Sequence, residues 1–300
     1  MVTEVAIIIP AYNSENGLER SVLSVLNQTL KEIEVWVVND GARDSTGRIA
    51  DKLSEKDARV HVIHQDNCGC YQARLKALKQ IKTPYFGFID ADDIIEPDMY
   101  EKMVSFAKAN QLDVVRCGYD GVPDLGKYES DNKVLASREN VLSEYVVPAL
   151  IEGTRGGTFV WNKLYRNQYD FNSFDPTDRV TTFEDMIFNL QFFICVQSMG
   201  FIDEPLYHYK INDGSSVRNF TAKTLHDFRE CMRIRKLMIP QYGVSARVTK
   251  PMMREWLRLN SRNAIISALR SKLPIRDKIC NLAGIAEMFR KENLWIRRSM

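Results

Sequence analysis

Val5-Ala6-Ile7-Ile8-Ile9-Pro10 is a continuous apolar run near the start of the chain. A strand that is apolar at every position, not only at alternate ones, is typical of a parallel strand covered on both faces. Three further apolar runs follow with helical segments between them: the predicted strands are residues 33–38, 60–64 and 85–89, and the predicted helices are residues 14–28, 45–56 and 71–81. This β-α-β-α-β-α-β alternation predicts a parallel, doubly wound sheet with right-handed crossovers.

Beyond residue 97 the alternation of strands and helices becomes less regular. The pattern predicts a helix, a strand, a polar loop and two further helices, at residues 97–109, 114–119, 121–131, 137–150 and 183–197. After Thr221 the sequence is helical almost throughout. We therefore predict an α/β domain over residues 1–220, with a mainly parallel sheet flanked by helices, and a helical region over residues 221–300.

The two predicted regions differ in charge. The whole chain carries 41 Lys and Arg against 39 Asp and Glu, a net charge of +2. Residues 221–300 hold 18 of the basic residues and 6 of the acidic ones, which leaves residues 1–220 with a net charge of −10. This asymmetry suggests cation-assisted chemistry in the acidic region and contact with an anionic surface in the basic one.

Basic side chains recur at helical spacing in the last region. Arg254, Arg258 and Arg262 repeat every four residues and would form a stripe along one helix face. A basic amphipathic helix suits an anionic membrane surface. The alternative is a solvated face on helices that pack against the rest of the protein or against a second subunit of a homo-oligomer. Nucleic acid is a weaker candidate, because no recognition motif accompanies the charge.

The cysteines and the apolar runs bear on the compartment. The six cysteines show none of the spacings of a zinc site and are interpreted as reduced thiols. The first residues contain no secretory signal, and no run approaches the roughly 18 apolar residues of a membrane span. The sequence predicts a cytoplasmic protein, with peripheral contact to the inner face of the membrane as one role for the basic region.

Asp90-Ala91-Asp92-Asp93 directly follows the fourth predicted strand. In open α/β sheets, ligands bind outside the carboxyl ends of the strands. Two carboxylates about 4 Å apart repel by roughly 4 kcal/mol at an effective dielectric near 20. A divalent cation removes that cost and creates a site for phosphate oxygens. The alternative is a polar turn that caps the helix beginning near Pro97.

Polar residues follow the other three strands as well. They are residues 10–13, 39–41 and 65–67, and Arg74 on the next helix would add a fixed cation. Each feature alone has an ordinary explanation, since Asp40-Gly41 suits a turn and an arginine is common on surfaces. Their shared position at one edge of the sheet predicts a site where helix N-termini, backbone amides and metal-bound carboxylates hold a phosphorylated ligand.

These motifs give the chain a resemblance to the family-2 glycosyltransferases of the GT-A fold, which extend bacterial capsular, lipopolysaccharide or wall polysaccharides. The match covers about residues 4–215 and is specific for the family, although not for any one sugar. The matching motifs are Pro10-Ala11-Tyr12-Asn13, Val38-Asn39-Asp40-Gly41, Asp44-Ser45-Thr46, Ala73-Arg74, Asp90-Ala91-Asp92-Asp93 and Glu184-Asp185. The resemblance implies a GT-A domain that binds the nucleotide-sugar with about residues 1–120 and faces the acceptor with about residues 121–220.

For the donor, the resemblance implies a nucleotide pocket lined by Pro10, Ala11, Tyr12 and Asn13. Asp40 would accept a hydrogen bond from the base, which is uracil if the donor is a UDP-sugar. Asn67 and Arg74 would help bind the donor near its base and its diphosphate.

The resemblance also gives roles to the acidic residues. Asp90, with Ala91 beside it, would hold the ribose or a metal-bound water, and Asp92 would ligate the Mn²⁺ or Mg²⁺ that bridges the diphosphate. Glu184 and Asp185 match the family's acidic pair, with Asp185 as the catalytic base. A metal stabilises the departing diphosphate as a Lewis acid, and a positioned carboxylate typically contributes ~10²–10⁴-fold in rate. The alternative for the pair is stabilisation of a helix dipole by acids in the first turn.

Three further positions have two interpretations each. His208-Tyr209-Lys210, followed by Ser215-Ser216, resembles a segment that closes over the diphosphate in many members of the family. Lys210 and Ser216 would then contact the donor. His208 would be a further metal ligand or would simply pack between the tyrosines, and Trp161 would stack on an acceptor sugar or belong to the core.

The sequence as a whole predicts a metal-dependent, inverting glycosyltransferase that moves a sugar, expected from a UDP-sugar, onto a glycan acceptor, with a lipid-linked glycan as one candidate. A single base suffices for inversion, and the absence of a QxxRW motif predicts a non-processive enzyme. One alternative is a sugar-phosphate nucleotidyltransferase, but Ala11-Tyr12-Asn13-Ser14 lacks the glycine-rich phosphate loop that such an enzyme needs. The other is a non-catalytic sugar-nucleotide-binding scaffold, against which the intact Asp92 and Asp185 argue.

Overall fold

The computed structural model describes residues 2–121, 132–151, 158–174, 180–210, 222–270 and 274–298. The chain forms two compact units. The first unit contains Met1–Val141, Phe159–Pro176 and Val196–Ile211, and the second contains Leu142–Thr158, Thr177–Cys195 and Asn212–Met300. The chain therefore passes between the units several times, whereas the sequence analysis placed one boundary near residue 220.

The first unit begins with the four parallel strands that the sequence predicted. Strands β1 (Val5–Ala11), β2 (Ile33–Asp40), β3 (Val60–Gln65) and β4 (Tyr85–Phe88) lie in the order β3-β2-β1-β4. All three pairings are parallel, and Ile7 of β1 lies opposite Val35 of β2 and Gly87 of β4. The connecting helices are α1 (Leu18–Leu26), α2 (Thr46–Lys56) and α3 (Cys70–Leu78). The alternation predicted over the first 89 residues is therefore confirmed.

Side chains of β1 show why this strand is central. Every residue from Val5 to Ile9 is fully buried, as the continuous apolar run predicts for a strand covered on both faces. Complete burial of one large aliphatic side chain contributes about 1.5–3 kcal/mol relative to exposure. The carboxyl ends of β1, β2, β3 and β4 consequently meet at one edge of a fixed sheet.

The sheet continues beyond β4 with strands of both directions. After β5 (Ile94–Ile95) and helix α4 (Met99–Asn110) come β6 (Val114–Asp120), β7 (Lys133–Leu135) and helix α5 (Arg138–Val141), and later β8 (Lys163–Arg166) and β9 (Met199–His208). β8 lies antiparallel between β4 and β6, and β9 lies parallel to β6 and antiparallel to β5 and β7. The described residues form a nine-stranded sheet in all, and it is mixed over the part of the chain where strands and helices do not alternate regularly.

The second unit is helical in its described residues. A π-helix covers Leu142–Ile151 and contains Pro148, which cannot donate the hydrogen bond that an α-helix requires there. The predicted helix over residues 137–150 is therefore a short α-helix followed by this π-helix. The other helices are α6 (Glu184–Phe192), α7 (Ala222–Met238), a 3₁₀ turn (Ile239–Tyr242), α8 (Ala246–Arg270) and α9 (Ile275–Arg298). In the described part of the chain, none of the helices combines the length and the apolarity required to cross a bilayer.

Candidate functional site

The loops that follow β1 and β2 are tied to each other by side chains. Oδ1 of Asn13 accepts a hydrogen bond from the backbone N–H of Arg43 over 2.9 Å. Oδ2 of Asp44 accepts one from the N–H of Glu15 over 3.1 Å, and Oε2 of Glu15 accepts one from the N–H of Ser45 over 3.0 Å. Because each loop uses its side chains to bind backbone groups of the other, the two strand ends form a single fixed rim.

Two residues of this rim explain its local shape. Asn13 has a φ of 51°, a left-handed conformation that asparagine tolerates better than most residues. Asp44 also accepts hydrogen bonds from the N–H and the hydroxyl of Thr46, at 2.9 and 2.5 Å. Burial opposes ionisation of Asp44, but the hydrogen bonds from Thr46 and Glu15 outweigh it, so the pKa of this carboxyl is lowered.

Asp40 lies at the end of β2 and is almost completely buried. Its carboxylate accepts three hydrogen bonds from the protein: from Nε2 of Gln65 over 2.7 Å and from the N–H groups of Cys68 and Gly69, each over 2.8 Å. A carboxylate has about four lone-pair positions, so three are already used inside the fold. Asp40 therefore shapes the loop after β3, and its contact with a nucleotide base stays a prediction.

The loop after β3 also depends on a glycine. Gly41 has a φ of +69°, and a Cβ at this position would lie 2.7 Å from the backbone nitrogen of Asn67. Any side chain here would be strained and would displace the Asn67 backbone. Asn67 is thus held close to the end of β2, at the edge where the sequence analysis placed it.

The acidic loop after β4 faces a buried cation. Nη2 of Arg74 donates a hydrogen bond to Oδ1 of Asp90 over 3.3 Å, and the guanidinium lies 5.4 Å from the centre of the Phe88 ring. Arg74 is only 2% exposed, whereas the side chain of Asp90 is one third exposed. The surface-charge alternative for Arg74 is therefore wrong. The buried guanidinium of Arg74 therefore fixes Asp90, and part of the Asp90 carboxylate remains exposed to solvent.

The first turn of α1 lies against the same acidic loop. A Cβ added to Gly17 would lie 2.7 Å from the carbonyl oxygen of Ala91 and 2.8 Å from Cα of Asp92. The hydroxyl of Ser21 donates a hydrogen bond to the carbonyl oxygen of Asp90 over 3.1 Å. The backbone of the loop is thereby fixed against α1, and Asp92 remains partly exposed.

Asp93 of this loop is bound by Tyr207 of β9, and neither residue was predicted to belong to the site. Oδ2 of Asp93 accepts a hydrogen bond from the Tyr207 hydroxyl over 2.6 Å, and Oδ1 accepts one from the N–H of Lys210 over 2.7 Å. Burial raises the pKa of Asp93 to about 8, and the charge of Asp90 adds to the shift. Asp93 stood within the acidic motif, but nothing in the sequence indicates which of its carboxyls turns inward.

His208, at the end of β9, is held by two carboxylates. Its Nδ1 lies 2.9 Å from Oδ1 of Asp120, and its Nε2 lies 2.7 Å from Oε1 of Glu96. Partial burial lowers the pKa of His208, but the hydrogen bonds to Asp120 and Glu96 outweigh it, so the pKa is raised. Since both ring nitrogens are hydrogen-bonded, a metal would have to displace one carboxylate, and the metal-ligand role stays a prediction.

Three further residues were predicted to contact the donor or the acceptor, and the two that the structure describes differ in burial. Trp161 is 2% exposed and stacks on Tyr207 with ring centres 4.3 Å apart, so it belongs to the core and is not free to stack on a sugar. Lys210 has an exposed side chain, and its backbone N–H binds Asp93. Ser216 lies outside the described residues.

The chemistry of the acidic loop fits a hard divalent cation. Asp90 and Asp92 supply partly exposed carboxylate oxygens, which are the ligands that Mg²⁺ and Mn²⁺ prefer. In the part of the chain that the structure describes, no group of three or more His, Cys, Asp or Glu side chains is arranged as a metal cluster. Mg²⁺ is commonly bound by one or two carboxylates, with phosphate and water oxygens completing its shell. The residues present fit that kind of site.

The first unit therefore brings most of the predicted donor-binding residues to the carboxyl edge of the parallel strands. The residues at this edge are Pro10, Ala11, Tyr12, Asn13, Asp40, Asn67, Arg74, Asp90, Ala91 and Asp92. Glu184 and Asp185 belong to the second unit, where they occupy the first turn of α6 and are both partly exposed.

Comparison with known proteins gives consistent matches. The model of glycosyl transferase family 2 matches residues 6–177. The uncharacterized glycosyltransferase EpsJ of Bacillus subtilis (strain 168) is 37% identical over 223 residues, which are 72% of this chain and 63% of EpsJ. This chain therefore spans less than two thirds of the length of that relative.

Two solved structures show the same fold. S. aureus TarS 1–349 in complex with UDP-GlcNAc matches 99% of this chain and 92% of its own, with a TM-score of 0.68 at 18% identity. The mannosyltransferase PcManGT from Pyrobaculum calidifontis, in complex with GDP-Man and Mn²⁺, matches 99% of this chain and 85% of its own, with a TM-score of 0.51 at 12% identity. The predicted fold class is confirmed by these likenesses.

Proposed function

The chain belongs to glycosyl transferase family 2 and has the GT-A fold, and from that premise we propose that it transfers a sugar from a UDP-sugar to a glycan acceptor with inversion. The observation that carries the proposal is the acidic loop Asp90–Asp93, which a buried Arg74 and the first turn of α1 fix at the carboxyl edge of the parallel strands. A preorganised anionic loop beside a fixed cation suits a metal-bound diphosphate.

The donor nucleotide would lie on the rim formed by the loops after β1 and β2. Tyr12 is 45% exposed there, although its neighbour Ala11 is buried. An exposed aromatic ring on a rigid loop is suited to contact a base with its apolar face. The likeness to a protein solved in complex with UDP-GlcNAc supports UDP as the nucleotide.

Asp92, with Asp90 beside it, would hold Mn²⁺ or Mg²⁺. A divalent cation bound there would neutralise charge on the leaving diphosphate as a Lewis acid. Arg74 itself would orient Asp90 and keep its charge compensated when the donor is absent. The likeness to a mannosyltransferase solved with Mn²⁺ supports a divalent cation.

Asp185 would accept the proton of the attacking acceptor hydroxyl. Its position in the first turn of α6, with a partly exposed side chain, leaves its carboxylate accessible to a substrate. A single base acting on the incoming hydroxyl leads to one displacement and hence to inversion at the sugar carbon. Such a base is expected to contribute ~10²–10⁴-fold in rate.

The acceptor would be a bacterial surface glycan, attached to a lipid and met at the inner face of the membrane. The resemblance of the motifs supports a surface polysaccharide. Exposed aliphatic side chains near the end of α8 and the start of α9 support the membrane contact: Leu269, Ile275 and Ile279 are 54%, 78% and 61% exposed. Arg276 stands exposed among them, so apolar and basic groups occur together, as peripheral binding to anionic lipid requires.

A donor screen tests the proposal. Wild-type protein is incubated with Mn²⁺, UDP-glucose, UDP-galactose or their N-acetyl and uronic derivatives, and a lipid-linked glycan fraction, and released UDP is measured. Acceptor-dependent UDP release with inversion in the product supports the proposal. Tight UDP-sugar binding with no turnover would instead favour the scaffold, and pyrophosphate release from UTP and a sugar 1-phosphate would favour the nucleotidyltransferase.

A further inference from the structure

Phe183 immediately precedes the acidic pair and has an unusual backbone conformation. Its φ is 69° and its ψ is 5°, which is the left-handed region, and it occupies the N-cap position of α6. A bulky residue in this region is a real outlier and is energetically unfavourable. Such a conformation persists only where surrounding groups hold it in place. Glu184 and Asp185 are the next two residues, so whatever holds Phe183 also fixes the start of the helix that carries them.

A single carboxylate holds the backbone just before Phe183. Oδ2 of Asp227, on α7, accepts three hydrogen bonds of 3.0 Å each, from the N–H and the hydroxyl of Thr181 and from the N–H of Thr182. Asp227 is fully buried. Its other oxygen, Oδ1, has no hydrogen-bond partner among the described residues. Among the described residues, the Asp227 carboxylate therefore accepts hydrogen bonds from Thr181 and Thr182, and these bonds fix the loop at residues 181–182.

Aromatic rings hold the Phe183 side chain from two helices. Its ring meets Phe228 of α7 and Trp256 of α8 edge to face, with ring centres 5.7 and 5.8 Å apart. The guanidinium of Arg235 lies 4.1 Å from the centre of the Trp256 ring, and Arg235 also donates to the carbonyl oxygens of Leu150 and Ile151. Edge-to-face aromatic pairs stabilise the fold beyond the area that they bury, and they offset the strained backbone.

We infer that Asp227 is a positioning residue for the reaction, which fixes the turn Thr181–Phe183 so that α6 begins at Glu184 and presents Asp185 in one orientation. The inference deepens the proposed function and rests on it, since Asp227 is given a role through Asp185. Asp227 neighbours Phe228 in sequence, so one turn of α7 holds both the backbone and the ring that precede the acidic pair. A catalytic group misplaced by about 1 Å can lose on the order of 10²-fold in rate.

Two substitutions of Asp227 test whether its hydrogen-bond acceptor or its negative charge holds the turn. In Asp227→Leu the N–H groups of Thr181 and Thr182 lose their shared acceptor, and the turn is free to move. In Asp227→Asn an amide oxygen replaces Oδ2, and the amide nitrogen takes the position of the oxygen without a described partner. Asp227→Asn is therefore expected to keep the turn, and with it the activity.

Asp113 supplies a matched control in the first unit. It is also buried, and its Oδ2 also binds two consecutive N–H groups, those of Gln197 and Ser198. Asp113→Leu removes a comparable set of hydrogen bonds at a distance in sequence from α6 and outside the proposed donor and base residues. If a loss of folding stability alone accounts for any change, the two leucine variants should behave alike.

The experiment measures two quantities on the full-length chain. Hydrogen exchange of the amides of residues 187–190, the first of which donates to the carbonyl oxygen of Phe183, reports the start of α6. The kcat for the UDP-sugar that gives turnover reports the reaction, and UDP titration in Mn²⁺ measures the fraction of protein with an intact donor site. Asp227→Leu should accelerate the exchange and lower kcat by about 10–100-fold at unchanged UDP affinity. Asp227→Asn should restore both to near the wild-type values, and Asp113→Leu should change neither.

Other results would overturn the inference. Unchanged exchange in a folded Asp227→Leu protein would show that the carboxylate does not hold the turn, and equal losses of kcat in Asp113→Leu would show a general effect. If Asp227→Leu does not fold, Thr181→Val is measured instead. This variant removes one of the three hydrogen bonds and should accelerate the exchange to a smaller degree. A failure of the proposed function can be told apart from a failure of this inference. If Asp185 is not the base, Asp185→Asn retains transfer, whereas the exchange measurements on the Asp227 variants do not depend on the role of Asp185.

Discussion

The hydroxyl of Tyr207 donates a hydrogen bond to Oδ2 of Asp93 and accepts one from the backbone N–H of Asp90, over 2.6 and 3.2 Å. One buried side chain of β9 thus binds both ends of the acidic loop. Tyr207 also stacks on Trp161, so the loop is anchored to the aromatic core of the first unit. We conclude that Asp92 stands on a loop whose two neighbouring acids are fixed, by Arg74 on one side and by Tyr207 on the other.

Removing the Tyr207 hydroxyl should weaken this anchor. Tyr207→Phe removes the hydroxyl that donates to the buried Oδ2 of Asp93, which is expected to cost about 1–3 kcal/mol in the free energy of unfolding. It should also weaken Mn²⁺-dependent UDP binding, because the loop that carries Asp92 is then less firmly fixed. Urea unfolding and UDP calorimetry measure both effects.

Tyr100→Phe is the matched control for that change. Its hydroxyl is also buried, but it has no hydrogen-bond partner among the described residues, so its removal should be neutral or mildly stabilising. Equal stability of Tyr207→Phe and Tyr100→Phe would contradict the anchoring role of Tyr207.

Asp40 should govern the loop after β3. In Asp40→Asn the amide nitrogen would face one of the N–H groups that the carboxylate now accepts, those of Cys68 and Gly69. Two opposed donors in a buried position should cost about 1–3 kcal/mol, and UDP should bind less tightly because Asn67 moves. Asp51→Asn, on the exposed face of α2, should change stability by less than about 1 kcal/mol. A wild-type UDP affinity in Asp40→Asn would remove the loop from the donor site.

His208 should make stability depend on pH. Its pKa is raised in the folded protein by Asp120 and Glu96, so its contribution is complete below the unfolded value of about 6.5 and is lost as the pH rises through the folded pKa. In metal-free buffer, the wild type should lose more unfolding free energy than His208→Gln between about pH 6 and pH 8. Parallel pH profiles of the two proteins in urea unfolding would show that the two carboxylates do not stabilise the charged ring.

The exposed aliphatic groups of α9 should carry membrane contact. Replacing Ile275 and Ile279 by Glu removes apolar surface and adds negative charge, so partitioning onto vesicles rich in phosphatidylglycerol should fall by at least about tenfold. Leu23→Glu, at an exposed position of α1, is the control and should leave partitioning unchanged. Sedimentation with vesicles measures both, and unchanged binding of the double variant would exclude this surface as the contact.

The parallel half of the sheet was predictable because its signal is local. Runs that are mostly apolar end in polar turns and alternate with helical segments. In strand β8, in contrast, the central pair lies between a buried Lys163 and a partly buried Arg166. Its strand conformation comes from pairing with β4 and β6, which are distant in sequence.

Side-chain direction in the site was not predictable for a similar reason. The helix after β1 was expected from Ser14, but it begins at Leu18, and the backbone N–H groups of Ser14 and Glu15 donate to the side chains of Thr46 and Asp44. Likewise, the motif Asp90-Ala91-Asp92-Asp93 contains three acids, but it does not indicate that the Asp93 side chain is buried against Tyr207. Local spacing indicated which residues lie at the carboxyl edge of the parallel strands, and long-range contacts determine what each of them touches.

One comparison tests the central claim, which is that Asp92 serves the departing diphosphate and Asp185 the incoming hydroxyl. UDP affinity with and without Mn²⁺, and acceptor-dependent UDP release, are measured for wild type, Asp92→Ala and Asp185→Asn. We expect Asp92→Ala to lose the Mn²⁺-dependent part of UDP affinity, and Asp185→Asn to keep UDP affinity while transfer falls by about 10²-fold or more. Full transfer by Asp185→Asn, or an undiminished Mn²⁺ effect in Asp92→Ala, would contradict the account.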